Sequence, residues 1–138
     1  MTTDRIEYVA RYMDMSDRFA QSSTVVASPA AGSITTICSL TIPTNLTIVS
    51  GVYISGWCAY TVGTNGVSVS LAIRQTNTTG TVVATTGLVT RTATNLNDQN
   101  VQGFDATPGV AVYVLCMLVT SGSASSAVSA ANLTAIIV

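Results

Sequence analysis

The chain has 138 residues, 48% of them apolar, and a net charge of −1 carried by five basic and six acidic side chains, with neither Lys nor His. That length suits one globular domain with its own core. The scarcity of cations excludes a phosphate-binding surface, and the absence of His and Lys removes the commonest general bases and zinc ligands.

Charge is unevenly placed. Asp4, Arg5, Glu7, Arg11, Asp14, Asp17 and Arg18 lie in the first eighteen residues, whereas the other 120 hold only Arg74, Arg91, Asp98 and Asp105. The charged segment predicts an amphipathic helical arm over residues 1–20. Thr2 or Thr3 can cap it, and Asp4 and Glu7 suit its positive end. On a helical wheel Ile6, Val9 and Met13 form one stripe and Tyr8, Tyr12, Met15 and Phe19 a second, bordering one wide apolar half. Glu7, Arg11, Asp14 and Arg18 lie opposite, and Arg5 intrudes on the apolar half. An isolated helix of this length is marginal in water and needs a surface. Ile6, Tyr8, Val9, Tyr12, Met13, Met15 and Phe19 are therefore the candidate partner-binding residues. Their surface is either another subunit or a larger scaffold, or, in the alternative, the chain's own sheet. Removing residues 1–28 is expected to leave the body folded and to weaken assembly.

Residues 21–33 (QSSTVVASPAAGS) are small and polar and read as a linker. From residue 34 to 138 the pattern becomes that of strands. Residues 34–42 form one candidate, stopped at Pro43. Residues 46–54 and 56–62 follow, interrupted near Gly51 and Gly56. Val67, Val69, Leu71 and Ile73 alternate with Ser68, Ser70 and Ala72, as in a half-buried strand. Residues 81–86 and 88–92 are short and Thr-rich. Residues 110–120 are apolar enough to be covered on both faces, and residues 128–138 close the chain. Asn65-Gly66 suits a tight hairpin, and Asn77–Gly80 and Thr107–Gly109 mark further turns. The expectation is an all-β fold: a jelly-roll-like or Greek-key β-sandwich of seven to eight strands with an N-terminal amphipathic helical arm.

Little in the body suits catalysis. Asp98 and Asp105 are its only carboxylates, and a catalytic dyad would require the fold to join them. The oxygen-rich run Asn95–Asn100 offers one carboxylate, too few for an ordinary calcium loop, and reads as a polar surface loop. Trp57 and Tyr60 could share a sugar-stacking platform, but Trp57 sits in an apolar run and is expected in the core. Cys38, Cys58 and Cys116 lie in apolar runs, which predicts buried, reduced thiols and folding in a reducing cytoplasm. No cofactor, metal, nucleic acid or membrane is expected as a partner.

The stretches Gly51–Trp57 (GVYISGW), Val67–Arg74 (VSVSLAIR), Asn77–Ala84 (NTTGTVVA) and Thr107–Val114 (TPGVAVYV) together resemble β-sandwich proteins of bacteriophage virions, namely capsid decoration (cement) proteins and fibre-head modules. The resemblance covers residues 34–138 as a pattern, and no functional residue carries over from it. It implies a structural virion surface protein assembled in the host cytoplasm, a homo-oligomer, by that likeness a trimer, that binds and stabilises the capsid. Its alternative is a receptor- or carbohydrate-binding head. The three cysteines and the charged arm depart from that pattern.

Overall fold

A computed structural model describes residues 19–22, 28–43, 50–109, 111–120 and 126–138. They form nine strands: β1 (Phe19–Ser22), β2 (Ile34–Thr41), β3 (Val52–Val62), β4 (Val67–Gln75), β5 (Val82–Thr85), β6 (Val89–Arg91), β7 (Asn97–Asp105), β8 (Val112–Val119) and β9 (Ser126–Ile137). Every strand pairing is antiparallel. One sheet has the order β1-β9-β3-β7, the other β2-β8-β4-β5, with β6 also on β4. Because β5 and β6 both pair with β4, they act as one interrupted edge strand. Counted so, the eight-strand order is jelly-roll-like: each sheet draws on alternating parts of the chain, and most connections cross between sheets.

The inward faces fill the space between the sheets. Val67, Val69, Leu71 and Ile73 of β4 are all buried, while Ser68, Ser70 and Ala72 are partly exposed. Tyr113, Leu115, Met117 and Val119 lie beside them on the neighbouring β8, and Ile54, Cys58, Leu133 and Ile137 close the layer from the other sheet. Each aliphatic side chain buried this way contributes roughly 1.5–3 kcal/mol before ordering costs. On the second face of β8 Val114 and Cys116 are buried as well, while Val112 and Leu118 are partly exposed.

Several sequence expectations need correction. The arm cannot be helical as far as residue 20: Phe19 and Ala20 belong to β1 with Gln21 and Ser22 of the expected linker, paired to Ile136, Ala135, Thr134 and Leu133 of β9. Residues 1–18 lie outside the described residues. The interruption at Gly56 is not a break. β3 runs through it, because a side chain there would meet Leu115 of the opposite sheet, 2.7 Å from an added Cβ. Asn65-Gly66, with Gly66 at φ +78°, joins β3 to β4 in the other sheet rather than closing a hairpin within one sheet. The run Asn97–Asn100 is the start of β7, not a loop.

Candidate interaction surface

Polar side chains inside the body are tied into two clusters. At one end the Asp105 carboxylate accepts hydrogen bonds from Tyr113 Oη (2.7 Å), Gln75 Nε2 (2.6 Å) and the Thr107 amide (3.0 Å). This joins β7 of one sheet to β8 and β4 of the other. Burial, then the adjoining Asp105 carboxylate, pushes the Tyr113 hydroxyl well above its ordinary pKa. In the second cluster Tyr60 Oη donates to Gln99 Oε1 (2.7 Å) and accepts from Arg91 Nε (2.7 Å). Gln99 Nε2 in turn donates to Thr86 Oγ1 at 2.7 Å. The Arg91 guanidinium also lies 5.6 Å from the Tyr60 ring centroid, within cation–π reach. Burial raises the Tyr60 pKa, and Arg91 offsets part of that rise.

These groups are arranged for structure. Asp98 is exposed at one end of β7 and Asp105 buried at the other; seven residues of extended strand separate them by about 23 Å, so they form no dyad. The strand pleat also sends the oxygen donors of Asn97–Asn100 to opposite faces, with Gln99 turned inward. All three cysteines are buried free thiols. Burial, reinforced by a neighbouring thiol, pushes Cys38 up to about 11 and Cys58 up to about 12. Burial also raises Cys116, against an opposing pull from Arg74. At neutral pH these thiols are protonated and poor nucleophiles. Among the described residues no group of three or more His, Cys, Asp or Glu could hold a metal ion, and no helix is long and apolar enough to cross a membrane.

The distinctive surface is the outer face of the four-stranded sheet. Tyr53 (55% exposed), Phe104 (41%), Ile136 (52%) and Trp57 (38%) all project there. Trp57 is thus not a core residue: on β3 it takes the outward parity of Tyr53 and Ser55, whereas Tyr60 is fully buried on the other face. The two aromatics therefore share no platform. Instead the Tyr53 and Phe104 rings lie 4.5 Å apart at 37°. With Ser55, Gln102, Thr134 and Ile136 they line a shallow groove of about 390 Å³. Of the sequence-predicted contact residues, Ile6, Tyr8, Val9, Tyr12, Met13 and Met15 lie outside the described residues, and Phe19 stands in β1 beside this face. Sequence reasoning missed the groove because its residues come from three strands distant in the chain. The available signal was the alternation of Tyr53, Ser55 and Trp57 against Val52, Ile54 and Gly56.

No protein-family profile matches the sequence, and no curated protein matches it. Solved structures do match. The chain is similar to the infectious bursal disease virus Gx-strain structure (18% identity, TM-score 0.59), to T=1 particles derived from infectious bursal virus (15%, 0.61) and to the VP2 subviral particle of infectious bursal disease virus (16%, 0.55). In each case 87% of this chain is covered, against 32%, 32% and 33% of the other. The chain therefore spans about a third of the length of those it matches. At this identity the shared property is the fold: two antiparallel sheets packed face to face, over nearly the whole of this chain.

Proposed function

We propose that this chain is a structural protein of a virus particle, a decoration or cement subunit whose β-sandwich sits on the virion surface and stabilises the capsid. The observation that carries this reading is the jelly-roll-like β-sandwich, whose fold is similar over 87% of the chain to structures of infectious bursal disease virus particles. The chemistry of the body agrees with a building role: its thiols are protonated and buried, its carboxylates are far apart, and Arg91 is held by Tyr60 and Gln99. A surface of hydroxyls and amides, nearly free of charge, loses little solvation when covered by another subunit. A homo-oligomer, in the concrete form a trimer, follows as part of the proposal, as does assembly in the host cytoplasm.

The exposed Tyr53, Phe104 and Trp57 favour a second reading, a receptor- or glycan-binding head, because aromatic faces stack well on sugars. The experiment that separates the two is co-sedimentation of the purified protein with particles assembled without it, alongside glycan-array binding. Saturable particle binding is expected. Failure to bind particles together with selective glycan capture would replace the first reading by the second.

A further inference from the structure

The two open sheets have four edges among the described residues, and three of them are blunted. β1, at one end of the first sheet, has 4 residues. β2 has 8 but slips register between Thr36 and Cys38. The opposite edge of that sheet is divided between β5 and β6, of 4 and 3 residues, and β5 meets a register slip on β4 between Ile73 and Arg74. Short strands, interruptions and bulges keep an edge from accepting another strand. β7 has none of these devices. It has 9 residues, pairs with β3 from Asn97 to Asp105 without a shift, and ends its sheet. No proline stands in it, and its two charges, Asp98 and Asp105, lie toward its ends.

One end of β7 is covered. The Asp98 backbone oxygen accepts from Arg91 Nη2 at 3.3 Å, and the Gln99 side chain turns inward to Thr86. The stretch Asn100–Phe104 has no strand on its outer side among the described residues. Asn100, Gln102 and Phe104 are exposed there, and Gln102 and Phe104 also line the groove on the outer face. We infer that this stretch takes an extended segment of another protein as a fifth strand of the sheet. Backbone N–H and C=O groups supply the pairing, and the outward side chains select the segment. Beside Phe104 the segment carries an apolar or β-branched side chain, which lengthens the row Ile136, Tyr53 and Phe104 by one position. Beside Asn100 and Gln102 it carries uncharged polar ones. The edge is too small to hold a second copy. It is about 14 Å long and about 10 Å deep, on the order of 140 Å², far below the ~800 Å² per partner of a stable interface. A short tail repeated over a particle needs less area, because many linked copies raise its effective concentration. Only this source of the segment rests on the virion reading.

The probe is a capped peptide of about seven residues in which Thr and Val alternate. It is titrated into the full chain and followed by amide NMR and hydrogen exchange. Saturable shifts are expected over Asn100–Phe104. At the amides there that face away from β3, exchange should slow about tenfold when free peptide is about ten times Kd. Two further peptides are N-methylated at alternate amides. Successive amides of a strand point to opposite edges, so one set should abolish the shifts and the other leave them. The inference is overturned if millimolar peptide shifts nothing on β7, if the shifts fall on β1 or β2 instead, or if both methylated peptides behave alike. It is also overturned if the edge-facing amides already resist exchange in the free protein. Protection lost on dilution would assign the edge to a second copy, and protection that persists would assign it to the chain's own remaining residues. The isolated protein is used, so failure here leaves particle binding intact, and failure to bind particles leaves the peptide result standing.

Discussion

Replacing Asp105 with Asn tests how the two sheets are held together. Asp105 is 7% exposed, and its two oxygens accept from three donors: Tyr113 Oη and Gln75 Nε2 on Oδ2, and the Thr107 amide on Oδ1. A carboxylate only accepts, whereas an amide has one oxygen and one NH2. The Thr107 N–H is fixed by the backbone, so the amide oxygen must turn toward it and the NH2 toward Tyr113 and Gln75. The Thr107 bond then becomes a weaker neutral one, and the two charge-assisted bonds of about 1.5–3 kcal/mol from Tyr113 Oη and Gln75 Nε2 lose their acceptor, since both donors meet an NH2. Desolvation of the carboxylate is relieved at the same time, so the net loss is about 2–4 kcal/mol. Tyr113→Phe alone removes one bond to a charged acceptor and costs about 1.5–3 kcal/mol. In the double variant the stranded hydroxyl is gone, and the combined loss falls short of the sum by at least about 0.5 kcal/mol. Equilibrium urea unfolding with an unchanged slope measures all three. Strict additivity, or an Asn variant within about 0.5 kcal/mol of the parent, would refute the reasoning.

Gly56→Ala should destabilise by about 1–3 kcal/mol despite the poor strand propensity of glycine, because its Cβ would meet the buried Leu115. Its cost should shrink in a Leu115→Ala background, as read by the same unfolding curves. Stability should decline at alkaline pH. Cys38, Cys58, Cys116, Tyr60 and Tyr113 all have raised pKa values when folded, so the unfolded chain releases protons first. Their contribution is complete below the unfolded value of 9.0 for Cys and 10.0 for Tyr and is lost as pH rises through the folded values, which are about 11 for Cys38 and about 12 for Cys58. The slope is at most about 1.4 kcal/mol per pH unit for each group, and a pH series of thermal melts should show it. Thiol titration should label all three cysteines slowly in the native protein and rapidly in denaturant; fast native labelling of any one would contradict its burial. Deleting residues 1–18 should leave β1 in place, whereas deleting 1–28 also strips β1 from β9 and bares its edge. The longer deletion should therefore melt lower and aggregate more readily.

The strands legible in the sequence are those whose inward positions are uniformly apolar. β4 alternates Val67, Val69, Leu71 and Ile73 without exception, and β8 is apolar on both faces. β7 was illegible because its inward positions are Gln99, Val101, Gly103 and Asp105. The two polar ones are satisfied by Tyr60, Tyr113 and Gln75 from other strands and by Thr86 just after β5, so the period-two apolar signal is missing. No local pattern announces partners 39 residues apart, such as Tyr60 and Gln99. Trp57 was misread for a related reason. Its neighbours Gly56 and Cys58 are buried, but the pleat turns the residue between them outward. The interaction face shares this difficulty, since Tyr53, Phe104 and Ile136 meet only through strand register.

Immunogold electron microscopy of particles from infected cells tests the virion assignment most directly. The account expects label regularly spaced on the outer surface of mature particles, and loss of that label from particles produced without this chain. Label confined to soluble host fractions, with purified particles bare, would contradict it.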